Sequence, residues 1–294
     1  MKYINKKVDI FRQVRYITSF FSKYKRIFII ILLFPIIAYF LLRQSYFTSF
    51  RKLQETFTND SNPLDIMLVV SRYNESLEWL NDAPFNKYPV IIYNKGSNEN
   101  FIKPGKLVDI INLPNVGRES HTYLCHILQN YEDDKINSIT VFLPGSVDVE
   151  TKRQTATTLL NLVEEKKSAI FLATPKTTIS SIIDFTLNEY STANVVTKND
   201  NKWENSEIRP YGNWIKKIIP DDENIVLNLP ICLWGIFSVG KNDIMQHMKQ
   251  RYQNIIHEVD HASNPETGHY LERSWAAVFN PLNNTMVINN NLMK

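Results

Sequence analysis

The sequence predicts an α/β protein whose mostly parallel central sheet is flanked by helices, with one transmembrane helix ahead of it. Two observations predict the folded part. Short apolar runs bounded by turn residues recur from Asp65 onward, and segments with helical spacing of apolar residues alternate with them. The third is the uncharged stretch of sixteen residues from Ile27 to Leu42.

That stretch falls just short of the roughly 20 residues a spanning helix needs, but Lys25, Arg26 and Arg43 at its ends reach headgroups on long stems. Residues 1–60 hold 11 of the 33 Lys and Arg but 3 of the 30 Asp and Glu, a balance of +8 that leaves −5 for the rest. Positive charge ahead of the apolar run puts the N-terminus in the cytosol and the remainder in the lumen of the secretory pathway. No small-residue cleavage site follows Leu42, so an uncleaved signal-anchor is expected rather than a signal peptide. The expected organisation is a basic tail at 1–26, an anchor at 27–42 and a polar stem at 43–63. A luminal α/β domain at 64–281 and a C-terminal tail at 282–294 complete it.

Within the luminal part, Asp65 to Ser71 reads as a buried parallel strand and Leu77 to Leu80 as the start of a helix. Tyr88 to Tyr93 and Leu107 to Leu113 give two further strands. A helix follows from about Glu119 to Tyr131, with Tyr123, Leu124, Ile127 and Leu128 along one face. Ser138 to Pro144 is a fourth strand, Thr151 to Lys166 a helix and Ala169 to Ala173 a fifth strand. Ile231 to Val239 supplies one or two more, and helices are expected at Asn242–Asp260 and His269–Phe279. Residues 174–230 are less regular and read as an excursion over the active face.

Composition narrows the function. With 44% hydrophobic residues the chain can bury a core, and 2 Cys are too few for a disulfide scaffold. The acidic balance of the large part would repel a nucleic-acid backbone, so no nucleic-acid partner is expected. No Walker, G-x-S-x-G, H-E-x-x-H or G-x-G-x-x-G motif occurs. What remains are polar clusters where strands end, the position at which open α/β sheets bind ligands. These are Ser71-Arg-Tyr-Asn-Glu, Asn94-Lys-Gly-Ser-Asn, Asn115-Val-Gly-Arg-Glu and Pro144-Gly-Ser-Val-Asp-Val-Glu.

Glu266, His269, Glu272 and Arg273 form a late cluster before Trp275. His269 and Glu272 share one helix face. Glu272 is the candidate catalytic carboxylate, with His269 beside it, and a structural pair with Arg273 or His269 is the competing reading. Trp79, Trp234, Trp275 and Phe279 are expected core aromatics.

The pieces Val69-Val-Ser-Arg-Tyr-Asn-Glu, Tyr93-Asn-Lys-Gly, Asn115-Val-Gly-Arg-Glu and Glu272-Arg-Ser-Trp resemble an uncharacterised family of unknown function over residues 65–281. The order of that family is in turn similar to glycosyltransferases of the A-type fold. The resemblance implies a type II membrane enzyme moving a sugar from a nucleotide-sugar donor to a glycan, protein or lipid acceptor. It implies Arg72, Asn74, Glu75, Lys95 and Arg118 as donor-binding residues. It also implies a divalent ion, Mn²⁺ or Mg²⁺, on Asp148 and Glu150, where A-type enzymes carry Asp-x-Asp. Asp-Val-Glu departs from that pattern and lies a few residues late. A non-catalytic luminal binding or scaffold domain on the same fold is the alternative.

Overall fold

The computed structural model describes residues 64–132, 135–174, 182–188, 203–220 and 230–290. The expected tail, anchor and stem at 1–63 lie outside the described residues, as does most of the excursion over 174–230. Among the described residues no helix is long and apolar enough to cross a membrane.

A five-stranded sheet forms the centre, in the order β3-β2-β1-β4-β6. Its strands are β1 (Ile66–Arg72), β2 (Val90–Asn94), β3 (Leu107–Asn112), β4 (Ile139–Pro144) and β6 (Phe237–Gly240). The first four run parallel and β6 pairs antiparallel with β4. β5 (Ala169–Ala173) and β7 (Thr285–Asn289) make a separate parallel pair. β7 falls in the stretch read as a tail, where Thr-Met-Val-Ile-Asn is too short and too exposed to announce a strand.

Period-two alternation divides β1 between two cores. Ile66, Leu68 and Val70 enter a core shared with Ala156, Leu159, Leu160 and Val163 of helix α2 (Glu150–Lys166). Met67 and Val69 enter the other, with Tyr123, Leu124 and Ile127 of helix α1 (Arg118–Asn130). Both faces are covered, which is why β1 carries no polar residue before Ser71. The second core continues as an aromatic column. Phe171 stacks on Phe237 at 5.1 Å between centroids, and Phe237 meets Trp275 at 5.2 Å. Trp79, Trp275 and Phe279 are buried, while Trp234 is half-buried.

The remaining helices are shorter than the spacing suggests. Helix α3 spans Tyr211–Ile218. The stretch expected as one helix from Asn242 is two, α4 (Lys241–Met245) and α5 (Lys249–Ile256). Between them the Tyr131 hydroxyl donates to the His247 carbonyl, and Gln246 Nε2 donates to the Phe279 and Pro281 carbonyls at 2.9 and 2.8 Å. Likewise α6 (Glu266–Glu272) and α7 (Trp275–Val278) replace a single helix over 269–279. Leu77 adopts φ +61° and caps a 3-10 turn at Glu78–Asn81 instead of an α-helix. The two cysteines are free thiols.

β5 meets the central sheet through side chains. The Ile170 N–H donates to Ser238 Oγ at 2.6 Å, and that hydroxyl donates back to the Ile170 carbonyl at 3.1 Å. The Gly240 N–H donates to Thr285 Oγ1 at 3.0 Å, joining β6 to β7.

Candidate functional site

The chain runs from β1 outward to β2 and β3, then returns to place β4 on the other side of β1. The crevice where the order reverses lies beyond the carboxyl ends of β1 and β4, the position at which open α/β sheets bind ligands. Five segments bring charged groups there.

The β1 end is built by Arg72. Its side chain is fully buried, and Nε and Nη1 but not Nη2 are tied within the protein. Nε donates to the Glu75 carbonyl at 2.7 Å, and Nη1 donates to Asn94 Oδ1 at 2.5 Å and the Asn98 carbonyl at 2.6 Å. The guanidinium lies 3.9 Å from the centre of the Phe101 ring. Arg72 thus pins the ends of β1 and β2 together. Asn74 Oδ1 accepts from the Asn98 N–H at 2.9 Å in the same joint.

Glu75 turns back under the crevice. Its Oε2 accepts the N–H groups of Tyr73 and Asn74 at 2.6 and 3.1 Å. Burial raises its pKa, the backbone donors and Arg72 pull against that, and Asp148 adds to the rise. Gly145 is required beneath it, because a Cβ there would lie 2.7 Å from Glu75 Oε2 and 3.0 Å from the Ser71 carbonyl.

After β4 a 3-10 turn at Gly145–Asp148 leads into α2, and the Trp79 indole N–H anchors it on the Gly145 carbonyl at 3.0 Å. Asp148 and Glu150 are exposed. Glu150 Oε1 accepts from Gln154 Nε2 at 2.6 Å along the outside of α2. Among the described residues no group of three or more His, Cys, Asp or Glu forms a metal ligand set. Lys152, in the first turn of the same helix, donates from Nζ to Ser146 Oγ at 2.7 Å. Burial lowers its pKa, and the charges that act on it are Glu119, Arg118, Glu272 and Glu75.

The α1 entry is backbone-strained. Gly117 has φ +61° and Arg118, a non-glycine, φ +51°. Lys95 holds it: Nζ donates to the Val116 carbonyl at 2.5 Å and to the Arg118 carbonyl. Burial brings the Lys95 pKa down to about 7 against the opposing pull of Glu119 and Cys125. Arg118 is thereby aimed at α6. Its Nη1 lies 2.9 Å from His269 Nδ1 and 2.7 Å from Nε2, and Nε2 is also 3.0 Å from Asn264 Oδ1. Burial, then Arg118 and Arg273, push the His269 pKa to about 2, so the ring is a neutral acceptor that orients Arg118. Arg118 Nε is also 3.6 Å from Glu119 Oε2.

α6 closes the site. Glu272 is buried, its Oε1 accepts the Trp234 N–H at 2.5 Å, and Oε2 is 3.5 Å from Arg273 Nη1. Trp234 sits at φ +66° and Gly235 at +64°, and a Cβ on Gly235 would lie 2.9 Å from Glu119 Cγ. Two left-handed pairs, 117–118 and 234–235, therefore flank the same group of carboxylates, and such strain collects where a site is held in one geometry. Glu266 is different. It is fully enclosed, accepting from the N–H groups of Leu187 and Ser206 at 2.7 and 2.9 Å and pairing with Arg209 Nε at 2.9 Å.

Of the residues singled out from sequence, Glu75, Arg118 and Glu272 converge on the crevice, with His269 behind Arg118. Arg72, Asn74 and Lys95 build its walls, and Asp148 and Glu150 lie at its outer edge. Sequence reasoning passed over Lys152 and the Trp234–Gly235 turn. One signal for Lys152 was present: a cation in the first turn of a helix opposes the helix dipole and wants a reason.

The buried imidazoles have a measurable consequence. Burial holds His121 and His126 near pKa 4, with Lys95 adding to the depression at His121. The unfolded chain takes up these protons as pH falls through about 6.5, while the folded state refuses them until about 4. The stability these two rings contribute is therefore present above about pH 6.5 and is lost as pH falls from there toward 4. Urea midpoints at pH 7.5 and 4.5 should differ accordingly. Equal midpoints would mean that the rings are accessible to protons in the fold.

A family model described as Protein of unknown function (DUF3431) matches residues 67–290, and the chain belongs to that family. No curated protein and no solved structure matches the chain.

Proposed function

Starting from that membership, we propose that this DUF3431 chain is a sugar transferase working at the β1–β4 crevice on a nucleotide-sugar donor. The observation that supports it is the convergence of Glu75, Arg118, Glu119, Lys152, Glu272 and Arg273 from separate segments at the point where strand order reverses. Carboxylates suit sugar hydroxyls and cations suit a diphosphate, and both are present. In the proposed step an acceptor hydroxyl oxygen attacks the anomeric carbon while the bond from that carbon to the diphosphate oxygen breaks. The electron pair leaves with the diphosphate, and the hydroxyl proton passes to Glu272. The acceptor is a glycan, protein or lipid hydroxyl.

Incubating the full chain with a panel of nucleotide sugars, with and without Mn²⁺, tests the reading through released nucleoside diphosphate. The second reading is a membrane-anchored binding or scaffold domain. It is favoured by the internal commitment of Arg72 and Lys95, the two cations nearest the ends of β1 and β2. Neither turnover nor a nucleotide-dependent thermal shift would select it.

The proposed setting is the luminal face of a secretory membrane, with residues 27–42 as the anchor. In intact microsomes a tag after Lys294 should resist protease while an N-terminal tag is digested. Digestion of the C-terminal tag would overturn this topology.

A further inference from the structure

Transfer from a nucleotide sugar leaves negative charge on a diphosphate, and something at the crevice must meet it; the inference here rests on that reading. The acidic pair Asp148 and Glu150 is placed poorly for a divalent ion. Both are exposed, Glu150 is engaged by Gln154 along α2, and the Lys152 ammonium already sits on Ser146, two residues before Asp148. Mg²⁺ wants near-octahedral oxygen ligation, and a resident cation in the same turn opposes a second one.

Lys152 itself is half-buried. An ammonium has three donors, and Ser146 takes one. Among the described residues no carboxylate lies within ion-pair distance of it, although four charged side chains act on it from further off. The turn under it is tightly specified, by Glu75 against Gly145 on one side and by the Trp79 indole on the Gly145 carbonyl. A half-buried cation with donors to spare, on a fixed turn at the strand-order reversal, is built to receive an anion.

We propose that Lys152 is the diphosphate-binding cation of the site, doing with an ammonium what Asp148 and Glu150 would do through a metal ion. The full chain should bind inorganic pyrophosphate in EDTA, measured by calorimetry and thermal shift. Lys152→Gln should weaken that binding about 10-fold or more, the scale of a lost charge-assisted hydrogen bond, while Lys152→Arg stays within about 3-fold. Asp148→Asn with Glu150→Gln should leave it unchanged. In the unmodified chain, pyrophosphate should protect Lys152 from reductive methylation, a reading that does not depend on any variant folding.

Absence of pyrophosphate binding, full binding by Lys152→Gln, unprotected Lys152, or binding that needs Mn²⁺ and Asp148 would each overturn the assignment. The two readings fail separately. Metal-free pyrophosphate binding through Lys152 with no nucleotide sugar turned over sinks the transfer reaction and keeps this site. Turnover that depends on Mn²⁺ and Asp148 does the reverse.

Discussion

Glu272→Gln is expected to lower sugar transfer by about 100-fold or more, the upper part of the range for a general base. The carboxylate is well fixed for that role. One oxygen takes the Trp234 N–H from a strained left-handed residue, and the other faces Arg273. The amide keeps the size and the acceptor oxygen for Trp234 but has no basicity to take the acceptor proton. Donor affinity should stay within about 3-fold and the melting temperature within a few degrees, because a single hydrogen bond is worth about 1 kcal/mol net. A variant that loses donor binding and unfolds together would make Glu272 the structural partner of Trp234 and Arg273. Unchanged turnover would remove it from the mechanism.

Glu266→Ala should instead destabilise the fold by about 3 kcal/mol or more and lower the melting temperature by about 10 °C. Glu266 is fully buried, and its two oxygens gather Leu187, Ser206 and Arg209 from segments that share no secondary structure. Removing it strips two backbone N–H groups of their acceptor and leaves the Arg209 guanidinium, about a third exposed, without its counter-charge. Thermal denaturation of the full chain checks this. A shift below about 3 °C would show that Arg209 and the two N–H groups find solvent instead. Glu266→Gln should recover part of the loss by keeping one acceptor oxygen.

Local signals made much of the fold legible. The apolar runs ending at Ser71, Tyr93 and Pro144 lie within a residue or two of the observed strands, and the helix expected from Glu119 starts at Arg118. These elements are fixed by burial on both faces, which writes itself into the sequence as uninterrupted apolar residues. The broken helices were not legible, because their breaks come from distant partners. The Tyr131 hydroxyl on the His247 carbonyl joins residues 116 apart. The site was legible as types of residue at strand ends, but not in how they divide the work. Arg72 and Lys95 look like ligand cations in sequence, yet carbonyl oxygens from elsewhere in the chain claim them. Lys152 hid for the opposite reason. It stands in a helix counted as ordinary, and only the turn before it carries it back over the crevice.

The hydroxyl joint between β5 and β6 marks where backbone pairing of the sheet gives way to side-chain pairing. Backbone pairing of the central sheet ends at β6, and β5–β7 continues the layer through Ser238, Thr285 and the Phe171–Phe237 stack. A ladder of amides is replaced along this seam by two hydroxyls and by the buried side chains of β5, Phe171 in one core and Ile170 and Leu172 in the other. Just past β5 the Thr174 N–H donates to the Ile231 carbonyl at 2.7 Å, so the seam also reaches the segment that leads into the Trp234–Gly235 turn. Through that segment the β5–β7 pair is tied to the turn whose Trp234 N–H holds Glu272.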